Sequence, residues 1–103
     1  MAREVSMSRN ALRAFQPARD CLLQPGSKRQ GARKWDAMRQ VRRRLRDNPY
    51  IGSQDPGQPQ YRAIVVSGYR IVYRVSPDTA DSRTAGDVVM PRIFGPGQEA
   101  NLP

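Results

Sequence analysis

Arg62, Arg70 and Arg74 stand on two short apolar runs that also carry Tyr61, Tyr69 and Tyr73. The planar fork of a guanidinium pairs bidentately with phosphate or carboxylate, so arginines gathered this densely suit an anionic partner. The rest of the inventory narrows the chemistry. The chain has 103 residues, no histidine and one cysteine. Without histidine the Ser/His and Cys/His nucleophile pairs are excluded, and a zinc site lacks its usual ligands. A lone cysteine forms no internal disulfide, and Cys21, beside Leu22 and Leu23, reads as a small buried hydrophobe. No metal and no cofactor is expected. Eighteen Lys and Arg against nine Asp and Glu give a formal charge of +9, which points to nucleic acid or to an acidic protein.

The elements that must position these side chains follow from pattern. Residues 3–7 alternate, with Val5 and Met7 on one side, and predict a short strand; Ser8 then offers a capping oxygen for a helix. Leu12, Phe15, Leu22 and Leu23 recur at roughly helical spacing, but Pro17 lacks an N–H, so the first helix is expected to be short, kinked or split near Gln16. Gln24-Pro25-Gly26-Ser27 breaks the chain, with Ser27 as a cap for a second helix running to Asp47. Trp35, Met38, Val41 and Leu45 form its apolar stripe, surrounded by Arg33, Lys34, Arg39, Arg42, Arg43, Arg44 and Arg46, and Asn48-Pro49 stops it. Residues 52–60, with Pro56, Gly57 and Pro59, suit a loop. Strands are predicted over 61–66, 69–76 and 87–94, the last interrupted on one side near Pro91. The expected architecture is one α+β domain over 1–103: an antiparallel sheet of about four strands, two N-terminal helices on one face, order β-α-α-β-β-β, and a frayed tail at 98–103. No apolar run approaches the roughly 20 residues of a membrane span, and the N-terminus lacks a secretory pattern, so the chain reads as cytoplasmic with no membrane role.

Which way the arginines point depends on the hairpin turn, because a one-residue change of register reverses a strand's faces. A two-residue turn at Ser67-Gly68 would set Arg62 beside Tyr73, Ile71 and Tyr69 and bury its charge, a costly arrangement. A three-residue loop, Val66-Ser67-Gly68, places Val65 opposite Tyr69 and Ala63 opposite Ile71. Tyr61, Ala63, Val65, Ile71, Tyr73 and Val75 then meet the helices, while Arg62, Ile64, Arg70, Val72 and Arg74 face away. With Val89 and Ile93 also turned to the helices, Val88, Met90, Arg92 and Phe94 join the arginine face. A surface that mixes arginine with Ile64, Val72 and Met90 is typical of an interface.

Asp47-Asn48-Pro49-Tyr50 after an arginine-rich helix, then Tyr61-Arg62, then Gly68-Tyr69-Arg70-Ile71-Val72-Tyr73-Arg74-Val75 resembles the RelE/ParE superfamily of toxins from type II toxin–antitoxin systems. The likeness covers residues 35–97, and Gly-Tyr-Arg-Ile-Val-Tyr is its most specific part. The resemblance implies a growth-inhibiting toxin acting on translation by ribosome-dependent mRNA cleavage, held inactive by a cognate antitoxin whose flexible tail folds on it. Arg62 and Arg70 match basic positions that would stabilise phosphate charge; a different, sparse RNase arrangement would use Tyr69 or Tyr50. Ile64 stands where the RNase branch has a second lysine, Gly97 where it has an arginine, and residues 98–103 lack its tyrosine. The alternative is the ParE branch, which poisons DNA gyrase by binding; a second alternative is a non-toxic RNA-binding module on the same scaffold. The surface expected to meet target or antitoxin comprises Arg62, Ile64, Arg70, Val72, Arg74, Met90 and Arg92.

Overall fold

The computed structural model describes residues 3–26 and 28–95. The chain runs β1 (Val5–Met7), α1 (Arg9–Leu22), α2 (Lys28–Arg39), α3 (Val41–Asp47), β2 (Ser53–Gln54), β3 (Arg62–Val66), β4 (Tyr69–Ser76) and β5 (Asp87–Phe94). Ser27, expected as a cap, and the tail 98–103, expected to fray, lie outside the described residues.

Ser8 starts α1 as its sequence predicts. Its Oγ accepts the Ala11 N–H at 3.1 Å and donates to the Pro91 carbonyl at 2.7 Å, so one hydroxyl caps the helix and ties it to β5. The expected break near Gln16 does not occur: α1 is continuous through Pro17. The bond that proline removes is the one to the Arg13 carbonyl, and both residues lie on the exposed side, where water can replace it. The buried stripe also differs from the expected one. Leu12 and Leu23 are exposed, at 55% and 43%, and the helix packs against the core through Ala11, Ala14, Phe15, Ala18 and Leu22. Small side chains there let α1 lie close to β5. Cys21 falls beside this stripe and is exposed, which corrects its expected burial.

The predicted second helix is two. Its chain turns at Gln40, although the Arg44 N–H still reaches the Gln40 carbonyl at 3.0 Å and the Gln40 amide holds Asp36 at 2.9 Å. The apolar stripe survives the turn. Met38, Val41 and Leu45 are buried, and Trp35 packs on Phe15 with ring centroids 4.8 Å apart. Asn48 leaves the helix in an extended conformation ahead of Pro49.

The sheet has five strands in the order β1-β5-β4-β3-β2 and is mixed, in place of the expected antiparallel sheet of about four. β1 pairs parallel to β5, from Val5 with Val88 to Met7 with Met90. β2 arises within the expected loop, pairing Ser53 with Ala63 and Gln54 with Arg62. Pro91 interrupts β5 as predicted: the β1 pairing ends at Met90, and the β4 register shifts between Val72 and Arg74.

The β3–β4 hairpin overturns the expected register. Arg62 lies opposite Tyr73, Ile64 opposite Ile71, Val65 opposite Arg70 and Val66 opposite Tyr69, so the turn is Ser67-Gly68 alone. Both residues have positive φ, 54° and 83°, the geometry of a type I′ turn. Serine is strained there, but its Oγ donates to the Lys34 carbonyl at 2.8 Å, and that bond to α2 holds the turn. Opposed residues share a face. Tyr69, Ile71, Tyr73 and Val75 of β4 therefore face the helices together with Arg62, Ile64 and Val66 of β3. On β5 the extra residue at the bulge reverses the alternation, so Val88, Met90 and Ile93 all enter the core, while Val89 lies opposite Arg74 on the other side.

Candidate functional site

The face turned away from the helices carries Ala63 and Val65 of β3, Arg70, Val72 and Arg74 of β4, and Val89, Arg92 and Phe94 of β5. Of the seven side chains predicted for the binding surface, Arg70, Val72, Arg74 and Arg92 are here. Arg62, Ile64 and Met90 are on the helix side, a correction that follows from the two-residue turn and from the bulge at Pro91. The face keeps its mixed character. Val65 is 68% exposed, and Val72, on the central strand, is covered by its neighbours and lies outside the main core cluster. Arg74 and Arg92 form no ion pair among the described residues. The Arg70 guanidinium lies 3.8 Å from the Asp55 carboxylate, which accepts the Gly57 and Gln58 N–H groups in its own loop. That loop thus reaches the arginine face, a contact for which residues 52–60 gave no signal beyond the acid itself.

Arg62 has a structural part. Its guanidinium sits over the Tyr50 ring, 4.7 Å from the centroid, and donates to the Gly52 carbonyl at 3.2 Å. The burial penalty that argued for the longer turn is offset in part by this cation–π contact and hydrogen bond at the end of the strand, although the Arg62 Nε is buried without a partner. Below it, the Tyr73 hydroxyl donates to the Pro49 carbonyl at 2.8 Å and accepts the Gly52 N–H at 2.9 Å. Tyr50 in turn donates to Asp78 at 2.8 Å and accepts the Ala80 N–H at 3.0 Å, which fastens the loop after β4. The motif around Pro49 and Tyr50 is therefore a clasp that closes one end of the core.

The three residues expected to share a cleavage chemistry are not brought together. Arg70 is on the open face, and Arg62 and Tyr69 are on the helix side at opposite ends of the hairpin. Tyr69 is four positions from Tyr73, the partner of Arg62, or about 13 Å at ~3.3 Å per strand residue. Tyr69 lies in an open groove of about 360 Å³ lined by Ala14, Pro17, Ala18, Cys21, Ile93 and Gly95. Burial pushes its phenol above the ordinary 10.0, and the neighbouring Cys21 thiol adds to the effect. Burial also raises the Tyr73 phenol above 10.0, with the Gly52 N–H and the Arg62 charge pulling the other way without reversing it.

Both raised phenols give stability a pH dependence of defined sign. The native state keeps these protons past the pH at which the unfolded chain releases them. Their contribution is complete below the ordinary value of 10.0 and is lost as pH rises from there through the raised native values. The urea midpoint is expected to be flat near neutrality and to fall in the alkaline range, with a smaller fall in Tyr73→Phe. A wild-type midpoint unchanged across that range would contradict the burial of these hydroxyls.

The domain is a small α+β fold with a helix-covered core and with Arg70, Arg74 and Arg92 together on the other side of its sheet. The chain belongs to the ParE toxin family of type II toxin–antitoxin systems, whose family model matches residues 5–85. Among solved structures it is similar to a chain of the chromosomal ParDE toxin–antitoxin system from P. aeruginosa, with a TM-score of 0.63 and 12% sequence identity over 92% of this chain and 97% of that one. At this identity the likeness speaks for the fold. A comparison with curated proteins returns no match. Membership makes the chain the toxin half of its system and gives it an antitoxin as partner. Among the described residues no helix is long and apolar enough to cross a membrane, and no group of metal-ligating side chains is assembled.

Proposed function

We propose that this toxin arrests growth by binding its target through the open face of the sheet, without cutting nucleic acid, and that the target is DNA gyrase. The observation that carries this reading is the separation of Arg70 from Arg62 and Tyr69 by the thickness of the sheet. Cleavage at a ribose 2′-hydroxyl needs a base, an acid and charge stabilisation converging on one phosphate. Arg70, Arg74 and Arg92 supply charge only, since a guanidinium stays protonated and shuttles no proton. The mixture of those arginines with Val65, Val89 and Phe94 suits a protein partner, in which apolar burial and charge pairing act together. Membership of the ParE family favours gyrase over the ribosome.

The same face is the site proposed for the antitoxin. An acidic, amphipathic segment that folds on binding would cover Val65 and Phe94 while pairing the arginines, so that neutralisation is competition for one surface. The test is induction of the chain in cells, with DNA integrity and transcripts followed together. Chromosome breaks with intact messages, relieved by the antitoxin, are expected. Messages cut on the ribosome with intact DNA would return the reading to a translation-directed RNase.

A further inference from the structure

A second positive surface lies on the helical layer, on the opposite side of the molecule from the proposed target face. From Lys28 to Asp47 the chain carries nine basic side chains against two acidic ones. Of the two acids, Asp36 is already engaged, by Arg39 at 2.7 Å and by the Gln40 amide at 2.9 Å. Arg42 donates to the Val5 carbonyl at 3.0 Å. Arg29, Arg33, Arg43, Arg44 and Arg46 are exposed, and among the described residues their side chains form no ion pair. The apolar side of α3 is turned inward through Val41 and Leu45, which leaves Arg43 pointing directly away from the core, flanked by Arg44 and Arg46.

We infer that the α2–α3 surface binds the phosphate backbone of double-stranded DNA, whatever target the sheet engages. Three observations select this occupant. The exposed part of α2 and α3 lacks an apolar anchor, because Met38, Val41 and Leu45 are buried, whereas a protein interface needs a desolvated apolar centre. A polyanion needs none: phosphate contacts by arginine and counterion release supply the affinity. The surface also lacks an aromatic platform, since Trp35 is half-buried against Phe15, and single strands are held by stacking on such platforms. Finally, residues 28–47 contain no Ser, Thr or Asn, and of their two glutamines Gln40 is spent on Asp36, so little is available to read the 2′-hydroxyls that mark an RNA duplex. A surface of this kind would hold the toxin on DNA without regard to sequence.

The test is fluorescence anisotropy of the full-length chain with labelled duplexes of about 20 base pairs and two unrelated sequences, where a dissociation constant of about 10⁻⁴ to 10⁻⁶ M is expected near physiological salt. Substituting Arg43→Gln, Arg44→Gln and Arg46→Gln together should weaken binding about tenfold or more and lower the slope of log affinity against log salt by about two to three. The charge-retaining set Arg43→Lys, Arg44→Lys and Arg46→Lys should keep most of the affinity. That outcome separates loss of charge from loss of fold, and antitoxin binding by the glutamine variant checks folding directly. Equal affinity and equal salt slopes for the wild type and the glutamine variant would overturn the inference. So would tighter binding to the single strand or to an RNA duplex of the same sequence, or loss of antitoxin binding with DNA binding unchanged.

Discussion

Replacing Arg70, Arg74 and Arg92 together by glutamate is expected to abolish growth arrest and, in the same protein, antitoxin binding. The three guanidiniums come from adjacent strands and face the same side, with Val72 between them and Val65 and Phe94 at the margin. Removing one member of a close, desolvated charge pair at an interface costs about 2–5 kcal/mol, and reversing the sign adds repulsion. Three reversals at one surface therefore lower affinity by at least about a thousandfold. The fold should tolerate the change: Arg74 is exposed, Arg92 has no ion pair among the described residues, and Arg70 has only a 3.8 Å contact with Asp55. Arg62→Ala is the contrast. Its guanidinium stacks on Tyr50 and bonds to Gly52 within the clasp, so it should cost about 1–2 kcal/mol of stability and leave both affinities in place. Growth curves and isothermal titration with the antitoxin decide the matter. Retained toxicity in the triple variant, or loss of it in a folded Arg62→Ala, would reverse the assignment of faces.

Tyr73→Phe is expected to be the most damaging single-atom change to stability. The hydroxyl is fully buried and serves two backbone groups at once, the Pro49 carbonyl at 2.8 Å and the Gly52 N–H at 2.9 Å. Its removal leaves both buried without a partner, at about 1–3 kcal/mol each, so a total loss of about 2–6 kcal/mol is expected. A domain of this size is stable by only ~5–15 kcal/mol, so the loss is a large share. Gly52→Ala attacks the same junction from the other side: a Cβ there would come within 2.6 Å of the Ala63 carbonyl oxygen and 2.7 Å of the Tyr73 hydroxyl. Both variants should lower the urea midpoint with an unchanged slope. A Tyr73→Phe protein as stable as the wild type would mean that water or another group already serves Pro49 and Gly52.

Local chemistry was legible in the sequence where one residue decides the outcome. Ser8 caps its helix, Asn48 leaves the helix before Pro49, Pro91 interrupts its strand, and Met38, Val41 and Leu45 are buried together. What escaped was set by contacts between distant residues. The Ser67 conformation depends on the Lys34 carbonyl, and the burial of Arg62 is compensated by Tyr50 and Gly52; neither partner is visible in the hairpin's own sequence. Ser67-Gly68 does have the composition of a two-residue turn, a signal that the penalty on Arg62 outweighed. The three residues of β1 carry no mark of a parallel partner 83 residues away. At Pro91 the interruption was predicted but its consequence was not: one inserted residue exchanged Val89 for Val88 and Met90 on the core side. Arg62 leaves the arginine face in the observed register, whereas Arg70 and Arg74 stay on the face opposite Ile71 and Tyr73 whichever turn joins the strands.

The most direct measurement is a supercoiling assay with purified gyrase and full-length toxin, run beside a ribosome-bound message exposed to the same toxin. Inhibited supercoiling with accumulation of cleaved DNA, an intact message, and no effect of the Arg70, Arg74 and Arg92 triple variant is the predicted result. A wild-type chain that leaves gyrase untouched and cuts the message would contradict it.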